Sequence, residues 1–206
     1  VLPIAIDRET LAAWAPRDDG HIRLASTQGD RDVTVDPRGE IAPGEPAWAN
    51  YPKGVLHGLR DAGVTLPACD VLFDSDVPLG GGLSSSASLE VATAVAMLSA
   101  SNAPDALSAG EIAKLCQQAE HTFAGAPCGI MDQSIAILGQ AGHALLLDCR
   151  NGTTGQVPLN SPDVVVLVAD TQVKHGIADG GYAARRDQCY AAAKMLGVKM
   201  LRDASI

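Results

Sequence analysis

Hydrophobic and polar residues alternate over several short stretches of the chain, and this is the pattern of half-buried β-strands. In the segment that begins at Cys69, Val71 and Phe73 fall on one face. A turn sequence, Arg17–Gly20, separates two of the early stretches, so the first 35 residues predict an antiparallel, β-rich start. The predicted strands are 2–6, 10–15, 21–27, 69–77, 143–149 and 163–170.

Other stretches repeat their apolar residues every three or four positions, which is the period of an amphipathic helix. The best marked helix begins after Ser108, which forms a capping box with Glu111. The predicted helices are one that includes Pro52 and ends at Gly63, one that follows the serines at 84–86 and runs to about Ala100, one from Ser108 to Gly125, and two over 130–138 and 182–196. Strands and helices mix without a regular β-α-β alternation, so the predicted fold class is α+β.

Composition narrows the class of protein. The 206 residues are 47% hydrophobic and 3% aromatic, which excludes collagen, coiled coil and wholesale disorder. The net charge of -9 argues against nucleic acid or an anionic membrane as the main partner. The longest aliphatic run, 164–169, is too short to span a bilayer. Five cysteines without a C-x-x-C pair predict a reduced, cytoplasmic protein.

A glycine- and serine-rich loop, Gly80-Gly81-Gly82-Leu83-Ser84-Ser85-Ser86, joins a predicted strand to a predicted helix. Glycines let backbone N–H groups approach an anion closely, and the following helix adds the positive end of its dipole. The loop lacks the Gly-Lys-Ser/Thr ending of a P-loop NTPase. It therefore predicts phosphate binding of another kind; the alternative is a flexible connection with serine caps.

The stretch from Pro78 to Ala87 resembles the phosphate-binding motif of the GHMP kinases, and its extension to Ala92 resembles the galactokinase branch of that family. Three further stretches resemble the same branch in the same order: Trp48–Val55, Gln118–Gln133, and Val173-Lys174-His175 with Tyr182, Arg185 and Arg186. The resemblance implies the fold of ribosomal protein S5 domain 2. It also implies transfer of phosphate from ATP to the C1 hydroxyl of galactose.

The resemblance also implies roles for individual residues. Asp132 is expected to be the catalytic base, and Gly80 to Ser86 are expected to bind the phosphates of ATP. Ser86 and Glu120 are expected to hold Mg²⁺, while Gly129, Asp132 and Tyr182 are expected to contact the sugar. The alternative for Asp132 is stabilisation of its own helix, and for Tyr182 it is packing on the core.

Glu120 is unusual whatever the family. It lies four residues after Cys116 on the apolar stripe of its helix, and a carboxylate that faces a core needs a partner or a proton. A magnesium ion is one such partner. The alternatives are a salt bridge to an arginine, or an exposed edge of the helix that extends as far as Glu120.

Two features set limits on the expected function. Gly180-Gly181 stand where galactokinases commonly carry serine and glutamate, which weakens the expected sugar contacts. Residues 1–206 match a nucleotide-binding N-terminal domain without its first sugar-binding segment and without the C-terminal domain, so we expect little activity from this chain alone. The alternatives are a kinase for another sugar, such as N-acetylgalactosamine or arabinose, and a non-catalytic regulatory protein that binds galactose and ATP.

Overall fold

The computed structural model describes residues 1–159, 165–169 and 181–205. Its strands are β1 (Thr10–Pro16), β2 (Ile22–Ser26), β3 (Val33–Val35), β4 (Cys69–Ser75), β5 (His143–Leu147) and β6 (Thr154–Pro158). Its α-helices are α1 (Asn50–Asp61), α2 (Ser85–Ala100), α3 (Ala109–Thr122), α4 (Met131–Leu138) and α5 (Gly181–Met195). The α+β class is therefore confirmed.

Four strands form one mixed sheet in the order β1-β4-β2-β3. β4 is antiparallel to β1 and parallel to β2, while β2 and β3 are antiparallel. The predicted antiparallel start is wrong in this respect, because β4 inserts between β1 and β2 although it lies more than forty residues later in the chain. β3 was not predicted, since three residues are too few to show a period.

The core lies between one face of this sheet and the helices α1, α2 and α3. Val71 and Phe73 of β4 are buried side by side on that face, as their alternation predicts. They meet the apolar side chains of the helices, among them Leu56, Met97 and Ile112. Burial of these side chains supplies the main driving force for folding.

Two glycines let α1 and α3 approach closely. A Cβ on Gly54 would lie 2.8 Å from the Ala119 Cβ and 3.0 Å from its Cα, and a Cβ on Gly58 would lie 2.8 Å from Leu115 Cγ. The approach places the end of α3, which carries Glu120, firmly against α1.

The helix signals in the sequence are confirmed. Ser108 Oγ accepts from the Glu111 N–H, and Glu111 Oε2 accepts from the Ser108 N–H at 2.8 Å, which completes the capping box. Gly63 and Gly197 adopt positive φ just after α1 and α5. Within the described ranges, none of the helices combines the length and the apolar character needed to cross a bilayer.

Two predicted strands differ from the structure. Residues 2–6 form only an isolated bridge from Ile4 to Ala144 of β5. The Pro3 carbonyl accepts from the Leu145 N–H of the same strand, and Val1 both accepts from and donates to the backbone of Leu147. Residues 165–169 are in no strand and are largely exposed, while the rest of 163–170 lies outside the described residues. The apolar run alone does not make a strand where no neighbour pairs with it.

Candidate active site

The glycine- and serine-rich loop has an alternating backbone. Gly80, Gly82 and Ser84 have φ values of 71°, 71° and 61°, whereas Gly81 and Leu83 between them lie outside the positive region. Where residues of positive φ alternate with others in this way, successive backbone N–H groups can form a concavity that suits an anion. Ser84 adopts this conformation without being glycine, at a cost of about 1 kcal/mol or more, and such strain tends to occur at functional sites.

The loop leads directly into the N-terminus of α2. Ser84 is the N-cap residue, yet its side chain makes no capping hydrogen bond, and the first turn of α2 contains no acidic residue. The alternative interpretation of Ser84 as a simple serine cap is thus not supported. The positive end of the helix dipole is left without a negative side chain of its own, as suits a bound anion.

Four side chains from α2, α3, α4 and the segment before α4 meet in the interior. Glu90, Glu120 and Gln133 are exposed by only 0%, 2% and 0%. Gln133 Nε2 donates to Glu120 Oε2 at 2.7 Å and to Glu90 Oε2 at 3.1 Å. The Cys128 thiol donates to the same Glu120 oxygen at 3.2 Å. One amide thus joins two buried carboxyl groups; we call these four residues the buried carboxylate cluster.

Burial, with the added effect of the Glu120 charge, raises the pKa of Glu90 to about 9 from an ordinary value of 4.5. Glu90 is therefore protonated at neutral pH, which avoids two adjacent buried negative charges. Burial, followed by the nearby Glu120 and Glu90, also raises the pKa of Tyr51. The same causes raise the pKa of the Cys128 thiol to about 12, so it remains a neutral donor.

Asp132 occupies the first turn of α4, as predicted, and is partly buried. The segment before α4 is fixed to α3, because the Cys128 carbonyl accepts from Gln117 Nε2 at 3.2 Å and from His121 Nε2 at 2.8 Å. Asp132 therefore projects from a helix start whose position is set by α3.

Gly129 and Tyr182 are brought together across 53 residues of chain. A Cβ on Gly129 would lie 3.1 Å from the Tyr182 hydroxyl oxygen. Tyr182 is 51% exposed, so it is not a core aromatic residue. The backbone of Gly129 and a phenol hydroxyl thus border the same space next to the start of α4.

A cleft opens beside the glycine- and serine-rich loop and provides about 410 Å³ of space, including its open mouth. Its apolar wall is formed by Trp48, Phe73, Leu79 and Leu89, and its polar groups include Ser85 and Gln28. A Cβ on Gly29 would lie 2.9 Å from Trp48 Nε1, so a glycine is needed where the indole packs.

The chain is similar to several known proteins. Residues 50–140 match the model described as "GHMP kinases N terminal domain", and this segment contains the loop, Glu90, Glu120 and Asp132. Galactokinase from Canis lupus familiaris is 45% identical over the whole chain. Residues 50–140 of the chain are a GHMP kinase N-terminal domain.

Other galactokinases are similar to the chain to the same degree. Galactokinases of Homo sapiens and Streptomyces coelicolor are each 44% identical, over 100% and 98% of the chain. The chain spans about half the length of these curated relatives, 53% in each case. The crystal structure of Lactococcus lactis galactokinase complexed with galactose matches 99% of the chain and 54% of its own, with 26% identity and a TM-score of 0.82. A mevalonate kinase structure, at 21% identity and a TM-score of 0.59 over 75% of this chain and 48% of its own, shares the fold.

The structure places the predicted site residues in two groups. Gly80 to Ser86 form one continuous loop that leads into α2, while Gly129, Asp132 and Tyr182 surround the start of α4. The buried carboxylate cluster links the two groups, because Glu90 follows Ser86 by one helical turn and Gln133 follows Asp132 directly. Lys174, His175 and Gly180 lie outside the described residues.

Sequence reasoning missed Glu90, Gln133 and most of the cleft. A signal for Glu90 existed, since a lone glutamate in a helix that is apolar on every side has to be buried. No local signal marked Gln28 or Gly29, because their nearness to Trp48 depends on the sheet order. Glu120 is confirmed on the buried face, but its partners among the described residues are Gln133 and Cys128 rather than an arginine.

Proposed function

We propose that the chain is the nucleotide-binding, N-terminal part of a galactokinase that transfers phosphate from ATP to the C1 hydroxyl of galactose. The observation that carries the proposal is the match of 99% of the chain to a galactokinase structure in complex with galactose, at a TM-score of 0.82. Identity of 45% to a galactokinase over the full chain supports it.

The nucleotide phosphates would bind the alternating backbone of Gly80 to Ser86 and the N-terminus of α2. Both supply N–H donors and positive potential, and no acidic side chain in the first turn of α2 opposes an anion. The neighbouring cleft would take the base, since it joins an apolar wall containing Trp48 to a few polar groups.

Ser86 and Glu120 fit a magnesium ion chemically, because Mg²⁺ prefers hard oxygen ligands and uses one or two carboxylates beside substrate phosphates. Both hydrogen bonds that Glu120 accepts from described residues end on Oε2, and neither uses Oε1. Among the described residues, no group of three or more His, Cys, Asp or Glu side chains is arranged for a metal, but a site of this composition does not need one. When bound, the ion would neutralise phosphate charge.

Asp132 would act on the sugar. Its carboxylate accepts the proton of the C1 hydroxyl as the hydroxyl oxygen bonds to the γ-phosphorus, and the bond from phosphorus to the ADP oxygen breaks. Gly129 and Tyr182 would border the sugar, because they face each other beside Asp132. We further propose a reducing, cytoplasmic location, since all five cysteines are in described residues and form no disulfide.

The nucleotide test uses the chain's two tryptophans. Trp14→Phe leaves Trp48 as the only reporter, and we expect its fluorescence to change saturably with Mg²⁺ and a non-hydrolysable ATP analogue. No saturable response would refute the nucleotide site.

The catalytic test places this chain in a chimera, where it replaces the matching half of the dog galactokinase. We expect galactose-dependent ADP release, lost in Asp132→Asn while the Trp48 response persists. Asp105→Asn, at an exposed position, is the matched control. Normal ADP release by Asp132→Asn would remove the proposed role of Asp132.

A further inference from the structure

Two members of the buried carboxylate cluster have no role in the proposed reaction. Glu90 and Gln133 have no measurable exposure, so neither can touch a substrate directly. They nevertheless stand between α2, which begins at the phosphate loop, and Glu120 at the end of α3. Burying polar groups at this depth is costly unless they are hydrogen-bonded, so their arrangement needs an explanation.

The hydrogen bonds connect Glu90 to Glu120 through the side chain of Gln133. The side-chain amide of Gln133 has two N–H groups, and its nitrogen lies 2.7 Å from a Glu120 oxygen and 3.1 Å from a Glu90 oxygen. The shorter bond and the thiol of Cys128 meet the same oxygen of Glu120, which fixes the rotation of that carboxylate. The longer bond fixes Gln133 to α2.

We propose that Gln133 is a positioning residue that orients the Glu120 carboxylate toward the metal ion, and that Glu90 anchors Gln133 as a hydrogen-bond acceptor. The inference rests on the proposed function, because Glu120 needs this orientation only if it binds the ion. Residues that hold a metal ligand in this way typically contribute 10- to 100-fold to metal affinity.

Two buried oxygen atoms without hydrogen-bond partners support the positioning role of Gln133 and Glu90. Glu90 Oε1 and Gln133 Oε1 are buried without a hydrogen-bond partner among the described residues. Leaving such atoms unpaired is costly, so packing alone would favour an apolar pair here. The polar pair is retained at that cost because apolar side chains could not hold the carboxylate of Glu120.

The test measures how strongly Mg²⁺ improves binding of a non-hydrolysable ATP analogue. The dissociation constant is determined in EDTA and in Mg²⁺ from Trp48 fluorescence in the Trp14→Phe background. The ratio of the two constants measures the coupling between metal and nucleotide. Glu120→Gln gives the ratio expected when the ligand itself is impaired.

Four further variants separate positioning from packing. Gln133→Met and Glu90→Met remove the donor or the acceptor at nearly constant volume, and we expect each to weaken binding about ten-fold or more in Mg²⁺. Binding in EDTA should change by less than about two-fold. Glu90→Gln keeps an acceptor oxygen and should retain the ratio of the unaltered chain. Ser134→Ala removes another buried polar group of α4, which bonds Ile130 instead, and should also retain it.

Each outcome decides a separate question. A normal ratio in a folded Gln133→Met variant would overturn the positioning role of Gln133. Should that variant not fold, Glu90→Met against Glu90→Gln carries the comparison, and equal loss in both would overturn the anchoring role of Glu90. If the unaltered chain binds the nucleotide without any gain from Mg²⁺, the proposed metal site itself fails, and this inference fails with it.

Discussion

Glu90 makes the stability of the fold depend on pH in a direction opposite to that of most surface carboxylates. Burial raises its pKa from 4.5 to about 9, so between these values the folded state holds a proton that the unfolded state releases. The stabilisation that this bound proton gives the folded state is complete below about pH 4.5 and is lost as the pH rises toward 9. The slope is about 1.4 kcal/mol per pH unit, or roughly 2.5 kcal/mol between pH 5.5 and 7.5.

Glu90→Gln removes this titration and keeps the shape of the side chain. We therefore expect the free energy of unfolding of the variant, relative to the unaltered chain, to improve by roughly 2.5 kcal/mol when the pH is raised from 5.5 to 7.5. Urea unfolding in EDTA at the two pH values measures it. Glu40→Gln, at an exposed position, should show no such change. A relative stability that is the same at both pH values would refute the buried proton on Glu90.

Three further predictions follow from local geometry. Gly82→Ala places a side chain at a φ of 71°, so we expect the free energy of unfolding in urea to fall by about 1 kcal/mol. We also expect weaker nucleotide binding, measured by fluorescence. Unchanged binding would contradict the proposed role of the loop. Gly54→Ala places a Cβ 2.8 Å from the Ala119 Cβ and should lower the free energy of unfolding by about 1–3 kcal/mol. In Gly110→Ala, a control in α3, the new Cβ meets no atom within 4 Å and the stability should not change. Equal thermal midpoints for the two variants would argue against the close approach of α1 and α3. The exposed Cys149 and Cys189 should react quickly with a disulfide reagent. The other three thiols should react slowly, because burial raises their pKa values. Five equal reaction rates would contradict that burial.

Much of the helical structure can be predicted from residues that are close together in the sequence. The capping box at Ser108 and Glu111 is satisfied by residues three positions apart, and the glycine after α1 needs only its own φ. The position of Glu120 on an apolar stripe likewise depends on helical period alone, and so its burial could be predicted. The residues around Glu120 could not be predicted, because Gln133 and Glu90 come from other helices.

The strands show the opposite case. Residues 2–6 and 165–169 have the same apolar character as β4, yet among the described residues a strand exists only where a neighbour offers its hydrogen bonds. The neighbour of β1 is β4, which no turn sequence near residue 17 could have indicated.

The local elements of this protein follow from its sequence alone: where its helices begin and end, the glycine- and serine-rich loop, and the motifs in fixed order that resemble one family. Three arrangements become visible only in the folded chain: β4 separates β1 from β2, Gly129 meets Tyr182, and one glutamine joins two buried carboxyl groups. Local elements depend on backbone dihedrals and neighbours within one helical turn. Contacts between distant segments depend on how all the apolar faces pack together, and no single segment contains that information.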